Sequence, residues 1–368
     1  RQIDPIEDIM PNTLTNLIPD IYAALDVVSR ELVGFIPVVA RDPRADRVAV
    51  GQTLRVPQAP VNTDGKNTTP AMAFPAASDQ VIGNKSLTIT KSRAFPFSWN
   101  GEEQGGVNSG VGYLTLRQDQ IAQAIRAAIN EMEADVAAAA YKAASRATGT
   151  AGITPFASDL SDMARLRKIL DDNGAPASDR SLVIDTTAGV AVRTLAQLTN
   201  VNQAGSSSTL RDGDLLNVHG FGFRESAQVQ AHTKGTENGA YVTNGAPSKG
   251  DTVIAIDTGA GTIVAGDVIK FEHDDNLYVV AADLAAGSVT IAEPGLLMDE
   301  GDGDTVTVQA DYAANVGFTR NAILLATRLP MVPEEGDLAS DRIVVTDPIS
   351  GISLAFVVYP GYRMNEDG

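Results

Sequence analysis

The chain carries three histidines, His219, His232 and His273, and no cysteine. Imidazole is the side chain most readily used near neutral pH for proton transfer or metal ligation. Here the three lie far apart, and none falls in a metal-ligand spacing such as H-E-x-x-H. His273-Asp274-Asp275 offers one nitrogen and two carboxylates to a cation, but a turn between two strands accounts for the same residues. DEGDGD, Asp299 to Asp304, spaces carboxylates as a calcium loop does. It lacks the ordered ligands and closing Glu of an EF-hand, and reads as an acidic hairpin turn. The glycines of GAGTIVAG, Gly259 to Gly266, sit between β runs and open no helix, so they are no dinucleotide fingerprint. Glu102 and Glu103 are paired carboxylates on a glycine-rich link, where solvation suits them better than catalysis. No G-x-S-x-G elbow and no phosphate-binding loop with Lys is present. The sequence therefore assigns no catalytic, cofactor-binding or metal residue, expects no cofactor, and points away from an enzyme.

The elements that must hold these residues are organised around one stretch, Thr115 to Ala147. Ile121, Ile125, Ala128, Ile129, Met132, Val136, Ala139, Ala140 and Ala143 recur every three or four positions, which predicts a single amphipathic helix roughly 48 Å long. Thr115 and Gln118 fit a capping box, Asp119 the positive first turn, and Lys142 and Arg146 the negative end, with Gly149 as the stop. Before it, Thr15 to Leu32 has an amphipathic pattern, with Asp20, Asp26 and Glu31 on its polar side. Leu54 to Val56 and Ser86 to Thr90 read as strands separated by a long polar stretch carrying Pro57, Pro60, Pro70 and Pro75. A compact domain rarely holds so long an irregular connection, so a two-stranded extension that orders on another subunit is expected. Trp99 is read as the anchor of that extension in a core, and Gly101 to Gly112 as a flexible link.

After the long helix the pattern turns α/β. A helix spans Leu160 to Leu170 and stops at Asn173-Gly174; a strand covers Leu182 to Ile184; a further helix is marked by Val190, Ala191, Leu195 and Leu198; a strand follows in His219 to Gln230. From about Ala231 to Asn315 short β runs recur at roughly ten-residue spacing, which predicts a small barrel or sandwich. These runs are Thr252 to Ile256, Val268 to Phe271, Leu277 to Val280, Val289 to Ile291 and Thr305 to Val308. A helix over Asn321 to Leu329 and a final hairpin, Arg342 to Asp347 with Ile352 to Tyr359, close the chain.

At 368 residues the chain is long enough for two or three domains, and 43% hydrophobic residues supply real cores. No apolar run reaches the length of a membrane span, and no signal-like segment stands at the front. The absence of cysteine excludes disulfides and thiolate metal sites and suits a cytosolic protein, or one stabilised by association. A net charge of −18 opposes non-specific binding to DNA, which depends on basic side chains neutralising phosphates. It suits a basic protein partner or simple solubility.

The segment PNTLTNLIPDIYAALDVVSRELVGFIPVVARD, Pro11 to Asp42, resembles the opening of coat proteins from short-tailed double-stranded-DNA bacteriophages. FTRNAILLATRLP, Phe318 to Pro330, is similar to the point at which that family returns to its capsid core. The order of elements resembles the tailed-phage major capsid fold in its subfamily with an insertion domain, over nearly the whole chain from Met10. The resemblance implies an α+β capsid fold with an N-terminal arm (1–47), an extended β loop (48–98) and a peripheral domain with the spine helix (99–148). It further implies an axial domain (149–230, resumed at 316–341), an inserted β-barrel (231–315) and a peripheral hairpin with the C-terminus (342–368). It implies a homo-oligomer of pentamers and hexamers in an icosahedral shell enclosing DNA without sequence-specific binding. Scaffolding and portal proteins are the implied partners, no membrane is involved, and the location is the virion after synthesis in the bacterial host cytoplasm. Asp20, Asp26 and Glu31 are then candidate contacts to scaffold or neighbours. The family usually continues past the terminal hairpin, and residues 1–9 are foreign to its pattern, so truncation or a tag is expected at the ends. Two other classes fit less well. An encapsulin-like compartment shell is opposed by the arm and the inserted barrel. A carbohydrate- or receptor-binding barrel has few stacking platforms, Tyr241, Phe271 and Tyr278.

Overall fold

The computed structural model describes residues 31–42, 49–58, 65–67, 79, 81–108, 113–200, 202, 212, 217–332, 339 and 341–359. The chain divides into two compact units. One draws on Arg1–Ala40, Phe95–Leu325 and Asp347–Gly351, the other on Arg41–Ala94, Ala326–Thr346 and Ile352–Gly368. In chain order the first described elements are strands β1 (Ala40–Arg41), β2 (Thr53–Gln58) and β3 (Gly83–Thr88), then helices α1 (Gly101–Asn108) and α2 (Tyr113–Lys142). Strand β4 (Arg146–Ala147), helix α3 (Ser161–Asp172), strand β5 (Arg180–Ile184) and helices α4 (Thr186–Thr194) and α5 (Ala196–Thr199) come next.

Helix α2 has 30 residues, about 45 Å of rise. It begins at Tyr113, so Thr115 lies within its first turn and not at its cap, and Asp119 lies beyond that turn. It stops at Lys142 and not near Gly149, because Arg146 and Ala147 are taken into a sheet: β4 pairs antiparallel with strand residues Tyr278 and Leu277. Arg146 is accordingly buried, its guanidinium donating to the Ile169 carbonyl and Asn173 Oδ1 and not facing the helix end. The buried positions include Arg117, Ile121, Ile125, Ile129, Glu133, Ala137 and Tyr141, a strict succession of fours. Each step of four overshoots a full turn by about 40°, so this buried row winds around the helix as it rises. A straight stripe misses that winding, which is why Ala139 and Ala143 are exposed while Ala137 and Tyr141 are not.

The glycine-rich stretch read as a link forms α1. Asn100 Oδ1 accepts from Glu103 N at 2.8 Å and Glu103 Oε2 accepts from Asn100 N at 2.9 Å, a reciprocal capping box that offsets the poor helix propensity of glycine. Trp99 is half-buried and belongs to no core cluster; its indole donates to Gln120 Oε1 at 2.5 Å.

Strand β5 is the centre of a three-stranded sheet, parallel to β6 (Phe221–Glu225) and antiparallel to β15 (Val316–Thr319). Between β5 and β6 the chain passes through α4, whose N-cap Asp185 accepts from Thr187 and Ala188 N–H groups. The single helix expected over Val190 to Leu198 is divided in two, because Leu195 adopts extended backbone angles. Met163, Leu182, Ile184, Ala188, Val192, Leu198, Phe221 and Phe223 make the core of this layer.

Strands β7 (Ala231–His232), β8 (Val242–Thr243), β9 (Val253–Asp257), β10 (Val268–Phe271), β11 (Leu277–Ala285), β12 (Ser288–Ile291), β13 (Val306–Val308) and β14 (Tyr312–Ala313) precede β15. Six of them pair in the order β13-β10-β11-β12-β9-β8, with β4 added beside β11. A bridge between Val242 and Thr305 joins the two ends of that order, so the sheet nearly closes into a barrel. Its interior is filled by Ile254, Ile256, Ile269, Phe271, Tyr278, Val280, Val289, Ile291, Leu296 and Val306. Alternation along β9, with Ile254 and Ile256 inward, is the period-two signature of such a wall. The chain enters and leaves this region side by side: Ala231 pairs with Ala313 and His232 with Tyr312.

The helix expected over Asn321 to Leu329 is absent. The chain makes a short 3₁₀ turn at Arg320–Ala322 and a strand, β16 (Leu324–Leu325). In the second unit, β2 and β3 pair in unbroken register from Thr53–Thr88 to Gln58–Gly83. Strands β17 (Asp341–Thr346) and β18 (Ser353–Val358) form the other antiparallel pair. The amphipathic segment Thr15 to Leu32 lies outside the described residues up to Arg30.

Close packing gives two glycines unequal importance. A Cβ on Gly235 would stand 2.0 Å from the Thr262 carbonyl oxygen, whereas on Gly317 it would meet the tip of the Leu166 side chain. Gly235→Ala is expected to cost about 1–3 kcal/mol by overpacking, and Gly317→Ala clearly less because Leu166 can rotate. Urea unfolding midpoints of the two variants check the order.

Candidate functional site

Helix α2 places Arg126, Asn130 and Glu133 at spacings of four and three, hence on one face. All three hold the segment that follows residue 30. Glu31 accepts from Arg126 Nε at 2.9 Å, and also from Arg126 Nη2 and Asn130 Nδ2. These hydrogen bonds, Arg126 first, pull the Glu31 carboxyl from 4.5 down to about 2. Glu133 is fully buried. Its Oε1 accepts from Gly34 N at 2.6 Å, Phe35 N at 2.7 Å and Ser226 Oγ at 2.8 Å, and its Oε2 from Ile36 N at 3.0 Å. The following turn is closed by Val38 N and Val39 N donating to the Phe35 carbonyl. The carboxylate thus acts as the cap of a single turn, filling a concavity of backbone N–H groups.

Packing fixes the same segment. Phe35 stacks on Phe318 with ring centroids 6.0 Å apart. A Cβ on Gly34 would come within 2.8 Å of Val183 Cγ1. Of the three candidate contact residues, Glu31 is therefore engaged within the chain, while Asp20 and Asp26 lie outside the described residues.

The histidines go to three separate places. His219 is exposed on a turn with φ of 50°, its carbonyl accepting from Arg167. His232 is buried: its Nε2 lies 2.8 Å from Asp267 Oδ1, and its Nδ1 3.4 Å from the Tyr141 hydroxyl. Asp267 also accepts from Gly235 N and Val264 N, so the pair is a structural joint between the end of α2 and the barrel. His273 stands beside Glu300 and Asp304. Sequence reading treated His273 and the acidic turn separately, since nothing in their spacing of some thirty positions announces that β10 and β13 are neighbours. The acidic segment turns, but it is no hairpin: β13 pairs with β10, whereas β12 pairs with β11 and β9, and Asp299 and Asp302 accept from Lys249 N and Gly245 N. Glu103, of the paired carboxylates, is used in capping. A shallow open depression of about 470 Å³ is lined by Thr154, Ala157, Thr186, Thr187, Val190, Ala191 and Thr194. Its hydroxyl and methyl lining carries no group with which to start acid–base chemistry. Among the described residues no helix is long and apolar enough to cross a membrane.

No protein-family profile matches the sequence, and no curated protein sequence matches it. Similar solved structures come from bacteriophages, two of them from capsids. A chain from Mycobacterium phage Che8 is 14% identical with a TM-score of 0.46, the match covering 86% of this chain and 99% of that one. A chain from the capsid of Cyanophage P-SCSP1u is 13% identical with a TM-score of 0.37, covering 77% and 86%. One from the mature capsid of bacteriophage PhiM1 is 12% identical with a TM-score of 0.38, covering 81% and 88%.

Glu133→Ala would strand three backbone N–H groups and the Ser226 hydroxyl, and is expected to destabilise the chain by about 3 kcal/mol or more. Amide exchange at Gly34 to Ile36 should accelerate more than at β5, and equal acceleration would deny the carboxylate its local role. For Glu31, the folded pKa lies below the unfolded value, so its contribution is fully present above about pH 4.5 and is lost as pH falls towards 2. Partial exposure limits it to about 0.5–1 kcal/mol. Arg126→Ala should flatten stability across that pH range in acid titration of the unfolding midpoint.

Proposed function

We propose that this chain is a phage major capsid protein, which self-assembles into an icosahedral shell enclosing double-stranded DNA. The observation that carries the proposal is the β2–β3 ladder. Of its twelve residues none is buried, and the adjoining Val81 and Ile82 are 81% and 69% exposed. A two-stranded ribbon without a core of its own is marginal in water, and exposed apolar side chains beside it favour a neighbouring surface. The second unit also leaves Val344, Val357 and Tyr359 exposed on or beside its other strand pair. Burial divided among many such contacts stabilises each subunit in the assembly.

In this reading 1–47 is the arm, 48–98 the extended loop and 99–148 with 342–368 the peripheral domain. Residues 149–230 and 316–341 form the axial domain, and 231–315 the inserted barrel. Helix α2 is the spine. Asp20 and Asp26 are salt-sensitive contacts for a basic scaffolding helix, whereas Glu31 roots the arm on α2. Pentamers and hexamers of the chain, a scaffolding protein and a portal complete the assembly. The charge of −18 keeps the shell from adhering to the DNA it encloses.

Electron microscopy of the purified chain, alone and with a scaffolding protein from the same genome, tests the proposal. Closed shells or ordered capsomers support it, and compact monomers in both samples at high concentration overturn it. Deleting residues 57–84 should leave a folded subunit, with circular dichroism close to the parent, that forms no closed shells. Normal shells from that deletion would remove the role assigned to the ladder.

A further inference from the structure

At one end of the barrel, His273 follows β10, and Glu300 and Asp304 lie in the turn before β13. His273 Nδ1 is 3.1 Å from Asp304 Oδ2 and 3.8 Å from Glu300 Oε2. One ligand atom from each residue lies within 4.8 Å of the other two. The Glu300 side chain is 0% exposed; neither of its oxygens makes a hydrogen bond of good geometry, and the His273 backbone N–H offsets its burial only in part. A buried carboxylate with so little donor support is strongly disfavoured unless a proton or a cation accompanies it. Burial pushes the Glu300 carboxyl up, and the negative charges of Asp274 and Asp304 add to that, opposed by His273. The nearby acids Glu272 and Asp274 are engaged elsewhere, Glu272 by Thr305 N at 3.0 Å and Asp274 by Asn276 N at 2.8 Å and the Tyr278 hydroxyl.

The turn is braced from outside. Thr243 Oγ1 donates to the Gly301 carbonyl at 2.6 Å and accepts from Asp304 N at 2.9 Å. Glu300 N donates to the Pro247 carbonyl, and Lys249 N and Gly245 N reach Asp299 and Asp302. Asp304 Oδ2 accepts from Gly301 N. Glu300 and Asp304 thus project from backbone already fixed by other bonds, the supporting shell that a metal site needs. His273 is 64% exposed at its side chain and leaves the cluster open to solvent.

We propose that His273, Glu300 and Asp304 bind one divalent transition-metal ion of the Zn²⁺ class, completed by water. One imidazole nitrogen with two carboxylate oxygens suits such an ion better than Mg²⁺ or Ca²⁺, which favour all-oxygen shells. The ion would neutralise Glu300 and tie the 299–304 turn to the end of β10, where the barrel is closed by the Val242–Thr305 bridge. Because an imidazole nitrogen binds a metal only without its proton, binding should weaken in acid.

Titration of chelator-treated full-length chain with Zn²⁺, followed by calorimetry and by thermal unfolding, tests the site. The expected result is one Zn²⁺ per chain with a rise in unfolding temperature, little effect of Mg²⁺, and unchanged binding in His219→Ala. His273→Ala, whose side chain is largely exposed and should not disturb folding, is expected to weaken binding by about 100-fold, and Asp304→Asn comparably. Absence of stoichiometric binding, or equal binding in His273→Ala, overturns the proposal. So does Glu300→Gln stabilising the chain while Zn²⁺ has no effect on the parent, which would identify a proton as Glu300's companion.

Discussion

A carboxylate removed from water must be matched by donors, and Glu133 obtains four from two distant parts of the chain. It belongs to the long helix, takes N–H groups from the segment at Gly34 to Ile36, and takes the Ser226 hydroxyl from beyond the end of β6. The helix, the sheet and the incoming segment are consequently correct only together. If the segment were displaced, the helix would carry an unsatisfied buried charge; if the helix shifted by one residue, the segment would lose its cap. Phe35 against Phe318 and Gly34 against Val183 add close packing to the same junction. Directional bonds specify the position there, while the apolar contacts supply most of the burial.

The barrel obeys a different constraint. Its strands are short, and no two neighbours alone would persist in water. Closure through Val242 and Thr305 removes most of the exposed edge, and the interior fills with β-branched and aromatic side chains. Polar groups appear inside where they have tasks. Tyr278 donates to Asp274 and accepts from Leu297 N at 2.9 Å, fixing a turn to the wall. The His232–Asp267 pair performs the same service at the opposite attachment, against Tyr141 and Tyr312.

Legibility in the sequence followed the range of the forces involved. Val268 to Phe271 was readable as a strand to the residue, because alternation and flanking turns are local. The α3 stop at Asn173-Gly174 was equally readable. The end of α2 was not, since Arg146 and Ala147 leave the helix to pair with residues 130 positions later. Apolar Ile323 to Ala326 has the composition of a helix, yet it turns and becomes strand, a tertiary preference that outweighs propensity. Nothing local marks Glu133 for burial; its partners are nearly a hundred positions away. Asn100-x-x-Glu103 did carry a local capping signal, obscured by the glycines that follow. The convergence of His273 with Glu300 and Asp304 needed the register of β10 against β13, which no spacing rule contains.

The paired strands β7 and β14 make the barrel segment look removable. The chain departs at Ala231 and returns opposite, at Ala313, so excision would leave a gap that a short turn could bridge. Two residues oppose it. Arg146 and Ala147, from outside that segment, supply a strand to the barrel's sheet, and excision would leave their backbone groups without a ladder. Such a segment can be exchanged in evolution for another only if the replacement also offers an edge to receive them. Genetic modularity here has a hydrogen-bonded toll, set by two positions that sequence comparison of the segment itself would never include.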